Sequence, residues 1–225
     1  MSRQRKGAPA AARPLRSDAV RNQEQLLRAA RDAFVERGAG APLDEIARRA
    51  GVGIGTLYRR FPERQALMRA VVLDALQRTA QEAERAMVEE GSGFDALTRY
   101  MHAVLDVRVS AVIPVLLDEI DMADAEVGPA REKSSAAVLR IIDRAHEDGS
   151  LPAEVTFGDV GTLLVRLSRP LPGGFTAEVD SDLAHRHLDL LVEGLRPSAD
   201  RHAVTAGPAL SRDELRAMRD STHTA

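Results

Sequence analysis

The chain contains no cysteine. That absence rules out a disulfide framework, a thiolate metal site and a cysteine nucleophile. It also lacks any apolar run approaching the length of a membrane span. Arg3, Arg5, Lys6, Arg13 and Arg16 crowd the N-terminus, but no apolar segment follows them, so this is not a secretory signal. Apolar and polar residues nowhere alternate for long enough to build a sheet. Neither a glycine-rich phosphate loop after a strand nor an HExxH pair occurs. A soluble, cytoplasmic, all-α protein without metal, cofactor or membrane partner is the expectation.

What is present begins with charge. The net charge of −3 over 225 residues hides an asymmetry. Residues 1–64 carry 14 Lys and Arg against 7 Asp and Glu; the remainder carries 17 against 27. A basic head on an acidic body suits a polyanion-binding module whose body stays off the polyanion. Residues 1–20, rich in Ala, Pro and Arg and without periodicity, read as a disordered basic arm. Such an arm can reach a minor groove or phosphates; a solvated tail is the plainer alternative.

The most informative stretch is Pro42 to Phe61, PLDEIARRAGVGIGTLYRRF. Leu43, Ile46, Ala47 and Ala50 make one apolar stripe on a short helix. Pro42 suits its first position, and Asp44 and Glu45 complement its positive end. Gly51 ends it, and a second helix runs from Ile54 to Phe61 with Ile54, Leu57 and Phe61 inward. Thr56, Tyr58, Arg59 and Arg60 face out. With a preceding helix from about Asn22 to Arg37, this is a three-helix, helix-turn-helix head over residues 21–64.

The run AGVGIGTLYRRFPERQAL resembles the signature of the TetR family of transcriptional repressors, A-G-V-S-x-G-T-L-Y-x-x-F-x-x-K-x-x-L. Ala50, Gly51, Val52, Gly55, Thr56, Leu57, Tyr58, Phe61 and Leu67 match it with the spacing intact. The close match covers about residues 22 to 70. It implies that Gly53, Ile54, Gly55, Thr56, Tyr58, Arg59 and Arg60 lie at a DNA duplex, with Arg64 replacing the family's backbone-clamping lysine. The residue types suit that role. Gly55 admits close backbone approach, Thr56 and Tyr58 can donate to phosphate, and an arginine can contact guanine bidentately. Gly53 departs from the family's Ser or Thr, and Ala41-Pro42 from its threonines, so hydroxyl caps are missing.

Beyond the head, a helix runs from Pro62 to about Glu89, and further apolar stripes follow over residues 94–105, 138–145, 157–167 and 183–195. Pro114 divides or kinks the segment from Ser110 to Met122. The resemblance implies a helical effector-binding and dimerisation body over residues 65–197, about nine helices in all. In the family the last two long helices pair with their twins; here these are Asp159–Arg169 and Asp182–Leu195. Leu163, Leu167, Leu188, Leu191, Val192 and Leu195 are the candidate interface, since the last helix carries two apolar stripes and needs two partners. An unknown small-molecule effector is implied by the family alone. Candidate lining residues are Met101, His102, Leu105, Arg108, Met122 and Arg166, and the acidic run from Asp118 to Glu126 would favour a cation if it faced the ligand. Residues 198–225 read as a polar tail with a capping box at Ser211.

An enzyme finds no support. His102, Asp106 and Ser110 are the residue types of a triad, but on one helix they span about 12 Å. His185 and His187, two apart, diverge. The expectation is a homodimeric repressor on a palindromic DNA operator, released by a small molecule. A DNA-binding dimer without an effector, or a helical lipid or ligand carrier with a vestigial head, is the alternative.

Overall fold

The computed structural model describes residues 13–116, 118–197 and 207–221. Within them the chain forms ten helices and no strand: α1 (Arg13–Arg37), α2 (Leu43–Arg49), α3 (Ile54–Arg60), α4 (Arg64–Glu89), α5 (Gly93–Asp106), α6 (Val109–Leu116), α7 (Val127–Glu147), α8 (Phe157–Leu167), α9 (Ala177–Leu195) and α10 (Arg212–Ser221). The all-α expectation holds.

The head packs as its stripes dictate. Leu26, Ala30, Ala33 and Phe34 of α1 share one buried core with Ile46, Ala47, Leu57 and Phe61. Gly51 makes the turn between α2 and α3 with φ of 69°, a conformation that glycine adopts without strain. Helix α1 starts at Arg13, so residues 13–20 extend a helix where a disordered arm was expected. Pro14 falls in its first turn, where a missing N–H is no loss. Residues 1–12 of that arm lie outside the described residues.

Helix α4 leaves the head and runs through the body. Its 26 residues span about 39 Å at the α-helical rise. It starts two residues later than expected, because Glu63 is extended. One end meets α1; the rest is wrapped by α5, α6 and α7. Small residues on its buried side, Ala75, Ala80, Ala83 and Ala86, let those neighbours come close.

Helix α5 is anchored at its start. A Cβ on Gly93 would lie 2.3 Å from the backbone nitrogen of Ala145, so only glycine permits the approach of α7. The first amides of α5 find partners after α7: Gly93 N donates to Asp148 at 2.7 Å and Phe94 N to Ser150 at 3.1 Å. Pro114 sits inside α6, which ends two residues beyond it. Helix α8 stops at Leu167, short of the expected Arg169. Helix α9 begins five residues before the expected Asp182, because Thr176 caps it by accepting from Val179 N at 3.3 Å.

The C-terminal segment is not simply a tail. Ser211 and Glu214 form the reciprocal capping box that opens α10. Just before it, the carbonyl of Leu210 accepts from Gly158 N at 3.0 Å and from Thr156 Oγ1 at 2.8 Å, which folds the segment back onto α8. Residues 198–206 and 222–225 lie outside the described residues.

Candidate nucleic-acid interface and interior cavity

Helix α3 is held from behind by Leu57, fully buried, and Phe61. Gly53, Gly55, Thr56, Tyr58, Arg59 and Arg60 are all exposed, with Tyr58 at 49%. Ile54, expected inward, is 41% exposed. Leu57 and Phe61 fill the space under this short helix, so Ile54 joins the outer face. Arg59 donates to Thr56 Oγ1 at 3.2 Å, and Arg60 to Gln23 of α1. Neither α2 nor α3 receives a side-chain cap, as the residues Pro42 and Gly53 require. The face combines guanidinium, phenol, hydroxyl and apolar groups on a backed, rigid helix, the chemistry that reads phosphates and base edges.

Arg64 is placed differently from the expected backbone clamp. Its Nη1 donates to the carbonyls of Ala39 at 2.9 Å and Ala41 at 2.6 Å, tying the α1–α2 link to the start of α4. A further lock braces α2 against α1. Arg49 takes both Glu36 and Glu45, and Arg37 also pairs with Glu45 at 2.7 Å. These ties were not singled out in the sequence, because nothing local marks which arginines turn inward.

A cavity of about 150 Å³ lies in the body, bounded by α4, α5, α6, α7, α8 and α10. Of the expected lining residues only Met122 borders it. Met101 is fully buried in the core, and Arg166 is exposed on α8. Leu105 and Arg108 border a separate small recess beside α9. His102 faces α9: its Nδ1 lies 2.7 Å from that of His185, and its Nε2 lies 3.0 Å from Asp189. Asp106 meets His185, while Ser110 turns to the cavity, so the three residue types of a triad part company. The real lining includes Tyr100, Ile113, Ser134 and Phe157, with Arg131, Arg212 and Arg216. The acidic run is not part of it. Asp124 pairs with Arg69 of α4 at 2.5 Å and accepts from the amides of Glu126 and Val127.

The two stripes of α9 divide between inside and outside. Leu188 and Val192 are buried against the chain's own core, with Leu195 and, on α8, Leu163 and Leu167 partly buried beside them. Leu191 is exposed, and so are Val179, Leu190 at 63%, and Leu171 and Phe175 in the preceding loop. The expected interface therefore mixed the two faces: Leu188 and Val192 belong to the inner one. His187 is exposed while His185 turns to α5.

The description of bacterial regulatory proteins of the tetR family matches residues 26–71, and that of the SbtR-like transcriptional regulator C-terminal domain matches residues 92–197. A TetR transcription regulatory protein from Mycobacterium vanbaalenii is 32% identical, with a TM-score of 0.58 over 82% of this chain and 100% of that one. The chain belongs to the TetR family. The TetR regulator SCO0520 from Streptomyces coelicolor is similar at 28% identity and a TM-score of 0.58, over 79% of this chain and 99% of that one. The transcriptional repressor LfrR from Mycolicibacterium smegmatis is 31% identical over 105 residues, 47% of this chain and 55% of LfrR. This match spans just over half of that relative's length. TetR-family proteins are DNA-binding transcriptional regulators and not enzymes, which is the function class of this chain. Among the described residues no helix is long and apolar enough to cross a membrane.

Proposed function

We propose that this TetR-family regulator acts as a homodimeric repressor. Residues 21–64 are its reading head and 65–197 its effector-binding and dimerisation body. Helix α3 enters the major groove of a palindromic operator, with Ile54, Gly55, Thr56, Tyr58, Arg59 and Arg60 toward the duplex. The observation that carries this reading is the exposure of those side chains together on a helix whose only inward anchors are Leu57 and Phe61. The repressive sign follows the relative LfrR, which is named a repressor.

One α3 makes few contacts, so a two-fold pair reading half-sites about 34–36 Å apart is the economical solution. The exposed apolar groups Leu190 and Leu191 on α9, continued by Val179, supply the surface for that pairing. Release follows from the cavity. Its α6 residues Ser110 and Pro114 also border a second recess that reaches Val35 of α1. A ligand that moves α6 therefore acts on α1 and α4, and changes the separation of the two reading helices.

The test is selection of bound sequences from random duplex DNA. A two-fold symmetric consensus supports the reading, and recovery of no consensus sinks it. The cavity is small, which favours a dimer working without an effector; a compound screen in which nothing releases the selected operator would decide for that second reading.

A further inference from the structure

The family match to the body ends at residue 197, yet the cavity has a wall beyond it. Arg212, Leu215 and Arg216 of α10 all line it. Helix α10 is seated by its own anchor on α8, where Gly158 N and Thr156 Oγ1 hold the carbonyl of Leu210. Gly158 is needed for this: a Cβ there would lie 2.2 Å from that carbonyl oxygen. The space, about 150 Å³, is of the size that admits a single aromatic ring.

The chemistry of the walls is uneven. Leu76, Ile113, Phe157 and Leu215 offer apolar surface. At the solvent side stand three guanidiniums, Arg131, Arg212 and Arg216, with one carboxylate, Glu132. That carboxylate already bridges two of them, at 3.1 Å to Arg212 and 2.5 Å to Arg216. Asp213 pairs with Arg212 from the solvent and does not line the cavity. On the inner side is Tyr100, more than nine-tenths buried. Burial raises its ionisation well above the ordinary value, so it borders the cavity as a neutral phenol.

We infer that α10 is part of the ligand site, and that the ligand is a small carboxylate whose apolar body fills the cavity while its charge takes Arg212 and Arg216. Glu132 shows that this pair of guanidiniums accepts one carboxylate between them. The inference rests on the cavity being the effector site, as proposed above, and names the class of molecule it takes.

Calorimetric titration of the full chain with benzoate and with its neutral counterpart benzamide tests it. Benzoate is expected to bind at least tenfold more tightly, since charge-assisted hydrogen bonds are the stronger kind. Arg212→Gln with Arg216→Gln is expected to abolish that preference, leaving the weak benzamide affinity in place. Gly158→Ala, which forces the anchor of α10 apart without touching the lining, is expected to weaken both. Equal affinity for the two probes, no binding of benzoate at millimolar concentration, or an undiminished preference in the double variant would each overturn the inference. Binding of benzoate that leaves operator affinity unchanged sinks the effector reading instead, and leaves the ligand class standing.

Discussion

Arg31 of α1 donates to Asp74 of α4 at 2.5 Å, and its other terminal nitrogen donates to the carbonyl of Val107 at 2.9 Å. One guanidinium, 5% exposed, thus binds the head to the long helix and to the junction between α5 and α6. Burial lowers its ionisation while Asp74 raises it, the signature of a charge kept in place by its partner.

The pair is not symmetric. Asp74 also takes Arg78 at 2.9 Å, whereas Arg31 has no second carboxylate among its hydrogen bonds. Asp74→Ala leaves a buried guanidinium uncompensated and is expected to cost about 3 kcal/mol. Arg31→Met leaves a carboxylate that keeps a partner, and is expected to cost less than half of that. Urea denaturation of the two variants measures the difference; equal losses would contradict the asymmetry.

Asp124 ties the loop before α7 to α4. Hydrogen bonds from Arg69 and from the amides of Glu126 and Val127 hold its carboxyl at about 2, below the ordinary 3.8. A carboxyl lowered in the folded state stabilises fully above its unfolded value, and the contribution is lost as pH falls through the folded one. Asp124→Asn is therefore expected to melt below the parent at neutral pH, with the gap closing between about pH 4 and pH 2. A gap that persists unchanged at the acid end would contradict this assignment.

Arg108 holds φ of 51° between α5 and α6, a region that only glycine occupies without strain. Its contact to Asp180, at 3.8 Å, is too long to offset much. Arg108→Gly is expected to raise stability by about 1 kcal/mol. A lowered melting temperature would show that the side chain matters more than the backbone.

The two faces of α9 predict opposite phenotypes. Leu190→Glu with Leu191→Glu alters exposed positions, so the fold should persist while light scattering reports a monomer. Leu188→Ala opens a cavity in the chain's own core, at a cost of about 3 kcal/mol, and the residual folded protein should still pair. A dimer that survives the double glutamate places the interface elsewhere.

Much of this was legible in the letters, for physical reasons that differ by element. The head is specified locally: the stripes of α1, α2 and α3 and the turn at Gly51 all lie within forty residues, and the outer face of α3 is what those stripes leave over. Helix α9 defeated the same logic. Both its stripes are apolar, so periodicity identifies two buried faces but not which is buried by this chain, and it leaves Leu188 and Val192 as interface candidates although they face inward. The cavity lining was missed for a related reason. Arg212 and Arg216 come to Tyr100 through the seat of Leu210 on Gly158, a contact fifty residues long in sequence that no short window contains. Arg64 shows the remaining gap, since a motif position can keep its charge and still spend it on two backbone carbonyls.

The central claim is that the outer face of α3 reads DNA. Anisotropy titration of the selected operator with the parent and with Tyr58→Ala, Arg59→Ala tests it most directly. Two lost contacts of roughly 1–3 kcal/mol each predict at least a thirtyfold weaker complex, with an unchanged circular dichroism spectrum and an unchanged dimer. Operator affinity equal to that of the parent would contradict the account.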